Sequence, residues 1–302
     1  MTNSKFFAHL QLTRPANVVT AVADILAGFA IAGTGYVLIS FDTSSDFFLD
    51  LAWLVLSTIG LYGGGVAFND VFDADLDAIE RPERPIPSGR ASKKSAAIMA
   101  FLLLAIGVFA AAQVSLLSGG LALSVAICAV VYDYWGKHQS FFGPINMGLC
   151  RAGNLLLGVS VMPNLVEKYA FLGLIPLIFV AAITMISRGE VHGKNRSALF
   201  AGLCMYVLII GVIGYLAFSI GDKPLEVLPF IALFSYMIFP PLLKAIQQQE
   251  PKLIGKAVKA AVISLIILNA SLSAAFAGWI YALIVLILLP ISLWLAKKFA
   301  VT

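Results

Sequence analysis

Apolar runs long enough to cross a bilayer recur from one end of this chain to the other. A hydrocarbon core about 30 Å thick takes roughly 20 apolar residues to cross as a helix. Every backbone N–H and C=O inside lipid must find a partner, so such runs become helices packed against one another. With 60% hydrophobic and only 12% charged residues, the 302-residue chain is too apolar for a water-soluble domain. The largest stretch outside the runs is the loop from Asp70 to Lys94, which is too short for a separate domain. The expectation is therefore an all-α, polytopic helical bundle, with residues 1–302 forming one unit in the membrane.

Hydropathy places helices near 16–40, 51–72, 94–115, 118–135, 144–163, 171–187, 197–219, 226–246, 256–276 and 279–297, with only Ala277 and Gly278 between the last two. The first run is too long for a signal peptide and reads as an uncleaved span. With the N-terminus in the cytoplasm, all of the 20 Lys and Arg except Lys168 and Lys223 fall in cytoplasmic loops or at cytoplasmic helix ends. The positive-inside rule then orients the chain in the cell (inner) membrane, with its acid-rich loops cytoplasmic. The net charge of +4 is a matter of topology, and no nucleic-acid partner is expected. Cys128, Cys150 and Cys204 lie in apolar stretches without ligand spacing and read as core residues. His138 and His192 lack zinc-like spacing.

Chemistry concentrates in Asn69-Asp70-Val-Phe-Asp73-Ala-Asp75-Leu-Asp77 and the following Glu80-Arg81-Pro-Glu-Arg84-Pro-Ile-Pro-Ser-Gly-Arg90. At about 100° per residue, Asn69, Asp70, Asp73 and Asp77 share roughly a 100° arc of a helix and Asp75 points elsewhere. Carboxylates converging at a membrane boundary repel one another and are costly to desolvate. Mg²⁺ resolves that conflict, because it takes hard oxygen ligands and keeps water and phosphate oxygens in its shell. Prolines 82, 85 and 87 end the helix, and Arg81, Arg84 and Arg90 follow, with guanidinium forks suited to phosphate. An acid-rich loop can also be merely solvated. The shared face, the apolar segment before it and the arginines after it favour a diphosphate site, with Asp70, Asp73 and Asp77 as metal ligands.

Further polar residues sit inside apolar segments, where they are functional candidates by default. Arg14, Asn17 and Asp24 lie within about an 80° arc of the first helix. Arg14 can equally anchor to headgroups, and Asp24 suits an internal hydrogen-bond role. Gly60, Gly63, Gly64 and Gly65 permit close helix approach just before the acids. Tyr132 and Tyr134 offer faces to a carbocation or belong to an interfacial aromatic belt, and Lys137 can meet a phosphate. Asn146, Arg151 and Asn154 spread over roughly 140° of the fifth helix, and Arg151 needs a carboxylate or a phosphate as partner. A second cytoplasmic loop, Ser187-Arg188-Gly-Glu190-Val-His-Gly-Lys194-Asn-Arg196, has Glu190 as its only acid and suits phosphate contact better than a second carboxylate cage. The later helices, with Asn269 a rare internal polar residue, look like packing surface or wall for a long apolar ligand.

These residues resemble the UbiA superfamily of intramembrane prenyltransferases. Arg14-Pro15-Ala16-Asn17 is similar to its opening RPxN, Asn69 to Asp77 to its NDxxDxxxD signature, and Tyr132 to Lys137 to its Tyr/Lys pair. The resemblance implies nine or so spans around a central cavity capped by two acid-bearing loops that bind a prenyl diphosphate through Mg²⁺. Catalytic roles then fall to Asp70, Asp73, Asp77, Tyr132 and Glu190. Diphosphate contact falls to Asn69, Arg81, Arg84, Lys137 and Arg188 or Lys194, and an acceptor, small or lipid-like, would enter near Arg14, Asn17 and Asp24. Asn146 and Arg151 join the substrate-binding set. The family's second motif commonly carries several aspartates; here Ser187, Glu190, His192 and Lys194 occupy those places, wording similar to the UbiA-like subgroup called EboC. The alternatives are a carrier or transporter that binds an anionic isoprenoid without chemistry, a scaffold, and a CDP-alcohol phosphotransferase, whose DGxxAR opening is missing. Transport sites usually sit near the midplane, whereas these acids cluster at one face.

Overall fold

The computed structural model describes residues 5–43, 45–193, 195–220 and 224–299, with the side chains of Val191, His192 and Ile220 left aside. Lys194 and Lys223, named above, lie outside the described residues. Within them the chain is helical without a strand.

The first apolar segment is a bent pair, α1 (Lys5–Leu12) and α2 (Pro15–Ile31), meeting at 43°. The cause is local. Pro15 disfavours the helical conformation at the residue before it, and Arg14 takes φ 47°, ψ 67°, in the left-handed region. α2 stops short of the expected residue 40: Gly33, at φ 78°, turns the chain into the short α3 (Tyr36–Ile39). Next come α4 (Asp46–Phe72), α5 (Ala74–Glu80), α6 (Lys93–Val114), α7 (Leu116–Tyr134) and α8 (Phe142–Val159). α9 (Pro163–Tyr169) leads into α10 (Leu174–Ser187), and α11 (Gly189–His192) links that to α12 (Arg196–Ile220). α13 (Leu228–Gln248), α14 (Pro251–Leu286) and α15 (Leu288–Phe299) complete the chain.

Seven of the described helical segments are long and apolar enough to cross a membrane, eight if the bent pair counts as one. The expected nine to ten are therefore not reached, for two reasons. α8 stands at the expected place but its inward face is polar. The last two segments count as one apolar stretch of 49 residues by length and composition, yet the helix breaks between them at the expected boundary, at Gly278, whose φ 82° and ψ 173° are non-helical. The large side chains left exposed, such as Phe101, Phe109 and Phe218, belong to the lipid-facing surface of a multi-pass membrane protein.

α2 is the central post, surrounded by α4, α8, α14 and α15. Helices in lipid gain nothing from hiding apolar surface and associate through close packing and interhelical hydrogen bonds. A Cβ on Gly28 would lie 2.3 Å from the Leu155 carbonyl oxygen, and one on Gly158 2.5 Å from that of Ile25. That contact of α2 with α8 brings Asp24 against Arg151. α4 meets α6 as closely: a Cβ on Gly60 would stand 2.5 Å from the Leu103 carbonyl, so the expected glycine contact is present.

Candidate functional site

The aspartate stretch straddles a pause between α4 and α5. Asp73 departs from helical geometry (φ −87°, ψ 1°), yet its N–H still bonds to the Asn69 carbonyl at 2.9 Å and the Asp77 N–H to the Asp73 carbonyl at 2.7 Å. Asn69, Asp73 and Asp77 thus keep a common face and line one cleft. Asp75 points away, 95% exposed beside Lys93.

The carboxylates are not left to repel one another. Arg14 donates to Asp70 at 2.8 Å, Arg84 to Asp77 at 2.7 Å and more weakly to Asp70 at 3.4 Å, and Lys137 to Asp73 at 2.5 Å. This corrects the expected convergence of three carboxylates: among the described residues no three acid, histidine or cysteine groups stand close enough to share a metal. Buried charge is costly unless paired, and basic side chains from three other segments pair it. The oxygen donors still fit Mg²⁺, which is commonly held by one or two carboxylates plus phosphate oxygens.

The cleft measures about 660 Å³. Arg14, Asn17, Asn69, Asp73, Asp77, Arg81, Arg84, Ser187 and Glu190 line it, so the second loop does face the first. Burial lifts the Glu190 carboxyl above its ordinary range, and the Arg81 guanidinium pulls it part of the way back. Arg188 turns aside to donate to the Gln139 carbonyl and does not line the cleft. Arg90 is also committed elsewhere, to Gln11 and to the Glu83 carbonyl.

A smaller cavity of about 210 Å³ adjoins it, lined by Tyr62, Val125, Tyr132, Asp133, Met147, Arg151 and Asn154. Arg14 and Asn69 line both spaces and form the boundary between them. Arg151 has the carboxylate partner it required. It donates to Asp24 at 2.6 Å and to Thr20 at 2.5 Å, and its guanidinium lies 5.1 Å from the centre of the Tyr62 ring. Asn154 and Asn269 donate to the same Asp24 carboxylate at 3.0 and 2.7 Å. Asp24 is wholly buried and its oxygens are taken, which is the internal role open to it from the start. Asn146 lines neither space, and its carbonyl oxygen is buried without a hydrogen-bond partner. Tyr134 is exposed against Phe72, leaving Tyr132 as the tyrosine that faces the interior.

Two features escaped the sequence reading. Asp133 is buried in the last turn of α7 and accepts from Asn69 Nδ2 at 2.9 Å. An acid inside an apolar run is itself a functional signal, and it was legible. Lys252, Lys256 and Lys259 of α14 line the outer cleft; their spacing of four and three, one helical face, was the available sign.

Fold and cleft together define an intramembrane helical bundle with a mixed-charge chamber set above a smaller interior cavity. The UbiA prenyltransferase family matches residues 22–239, and the chain belongs to that family. It is 35% identical over 146 residues to digeranylgeranylglyceryl phosphate synthase of Methanosarcina mazei, covering 45% of this chain and 50% of that relative. The chain thus spans half the length of that curated relative. The synthase of the same name from Methanothermobacter thermautotrophicus is 28% identical over 243 residues, 79% of this chain and 81% of the relative. Among solved structures, one reported for digeranylgeranylglyceryl phosphate synthase in membranes superposes with a TM-score of 0.64 at 20% identity, covering 90% of this chain and 98% of its own. A UbiA homologue from Archaeoglobus fulgidus, bound to GPP and Mg²⁺, gives 0.63 at 14% identity, covering 88% and 99%. Both structural likenesses are of fold.

Proposed function

We propose that this chain is a Mg²⁺-dependent prenyltransferase that moves a prenyl group from a prenyl diphosphate to a hydroxyl of a phosphorylated lipid alcohol. The carrying observation is that the oxygen donors Asn69, Asp73 and Asp77 line the same cleft as Arg81, Arg84 and Glu190. The names of the synthases support the acceptor class: removing one prenyl group from their product leaves a prenylglyceryl phosphate. The GPP and Mg²⁺ bound to the Archaeoglobus homologue support the donor and the metal.

Asn69, Asp73 and Asp77 would hold Mg²⁺, with Asp70 behind them fixing Arg14 and Arg84. Bound there, the ion supplies Lewis-acid stabilisation of the departing diphosphate, worth several kcal/mol. The native ion pairs make the exchange simple, because each carboxylate yields its ammonium or guanidinium partner to phosphate oxygens as the donor enters. Lys137, Arg84 and Arg81 then stabilise the charge that develops as the allylic C–O bond breaks. Diphosphate leaves with the electron pair, the acceptor oxygen bonds to the allylic carbon, and the hydroxyl proton passes to the diphosphate. Tyr132 offers its ring face to the carbocation, and the inner cavity keeps water from it. The whole chain acts as one unit in the inner membrane, its N-terminus and cleft on the cytoplasmic side.

Turnover is read as diphosphate release by purified protein given geranylgeranyl diphosphate, Mg²⁺ and a prenylglyceryl phosphate. Asp73→Asn is expected to cut it by about a hundredfold or more, in line with losing one preorganised electrostatic group, and EDTA to abolish it. Undiminished release in either case ends the assignment. One observation favours a second reading: Glu190 is the lone acid that the second loop brings to the cleft, which suits a carrier that binds the donor and does not cleave it. Tight, Mg²⁺-dependent donor binding without any diphosphate release would select that reading.

A further inference from the structure

We propose that Lys252, Lys256 and Lys259 form a separate binding site for the phosphate of the acceptor lipid, on the wall of the cleft that α14 supplies. This rests on the prenyl-transfer reading for the identity of its ligand, while the site itself stands on three observations. The lysines fall at i, i+4 and i+7, one face of α14, and all three line the cleft that holds the aspartates. Unlike Arg14, Arg84 and Lys137, none of them makes an ion pair with a described residue. Their charge is therefore available to a ligand, whereas the charge of the other three is matched inside the protein.

The same face turns apolar with depth. Val262 and Ile263, which also line the cleft, come one turn after Lys259. At 1.5 Å per residue the lysines cover about 10 Å of the helix edge; Val258 already joins the lining beside Lys259, and from Val262 inward this stretch of α14 lines the cleft with apolar side chains alone. That order, cationic rim then apolar wall, suits an amphiphile that enters head outward. A phosphomonoester carries about 1.5 to 2 negative charges at neutral pH, and lysines serve such groups as point charges. The metal-binding partners proposed for the donor, Asp73 and Asp77, stand at the α4–α5 junction, whereas the lysines stand on α14, so the two sets come from different walls of the cleft. Two anionic groups thus meet the cleft from two sides: the leaving group on the aspartates and the acceptor head on the lysines.

The experiment uses the full-length protein in nanodiscs of neutral lipid, with geranylgeranylglyceryl phosphate and its dephosphorylated alcohol as probes and Lys252→Gln/Lys256→Gln/Lys259→Gln as the variant. Binding of the phosphate probe is expected to weaken at least tenfold in the variant, with binding of the alcohol and of geranylgeranyl diphosphate with Mg²⁺ unchanged. Equal affinity of wild type for phosphate and alcohol would overturn the proposal, as would equal loss of both probes in the variant. Competition from phosphatidylglycerol that matches the phosphate probe would also overturn it, by showing a site for bulk anionic headgroups. Because binding is read without turnover, an inactive protein would sink the transferase reading and leave this site to be judged alone.

Discussion

Asp24 shows how a residue that looks like part of a substrate site becomes a structural one. Its carboxylate collects Arg151, Asn154 and Asn269 at a depth where an unpaired charge has no water to turn to. Asp24→Ala leaves the Arg151 guanidinium without its carboxylate, and breaking a buried pair this way costs about 3–5 kcal/mol. A clear drop in the melting temperature of the detergent-solubilised protein is expected, with much of it regained on adding Arg151→Met. If the double variant melts no higher than the single one, the orphaned guanidinium is not the source of the loss. Asp133 plays a different part. By accepting from the Asn69 amide at 2.9 Å, it fixes the amide's orientation, which under the proposed function would leave the side-chain oxygen to Mg²⁺. Asp133→Ala is expected to raise the Mg²⁺ concentration for half-maximal turnover about tenfold, about 1.4 kcal/mol, and Asp133→Asn, which can still accept that bond, to recover most of it. An unchanged Mg²⁺ dependence in Asp133→Ala would remove this role.

At the scale of elements, the local grammar carried far. A helical period puts Asn69, Asp70, Asp73 and Asp77 on one arc; the chain keeps Asn69, Asp73 and Asp77 on the cleft through the pause at Asp73, while Asp70 is taken up by Arg14 and Arg84. The sequence is also enough to expect a helix contact at Gly60, since glycine lets two backbones approach. Adding a side chain there is a direct test: Gly60→Leu must push α4 off α6, because its Cβ would already stand 2.5 Å from the Leu103 carbonyl. Loss of the monodisperse species in size-exclusion chromatography is expected, whereas Gly120→Leu, with nothing within 4 Å, should be tolerated. Period alone did not reveal the early stop of α2 at Ile31, which goes with the positive φ of Gly33. The break between the last two segments falls at Gly278, where the sequence placed it.

For the molecule as a whole, orientation is the reading most open to a simple measurement. In a background without native cysteines, Glu83→Cys in the loop after α5 is expected to react with a membrane-impermeant maleimide only from the cytoplasmic side, and Thr43→Cys only from the opposite side. The reverse pattern would place the cleft outside the cell and remove it from a cytoplasmic prenyl diphosphate. By itself the sequence determined what depends on composition and on spacing along one helix: a membrane-embedded helical chain, a row of oxygen donors at a helix end, and arginines just after it. Only the tertiary structure decided the partners. Arg14 meets Asp70 across 56 positions, Lys137 meets Asp73 across 64 and Asn269 meets Asp24 across 245, and the lysines of α14 line the same cleft as Asp73 and Asp77. A backbone period reaches only a few turns, whereas which charges end up neighbours is settled by how all the helices pack at once.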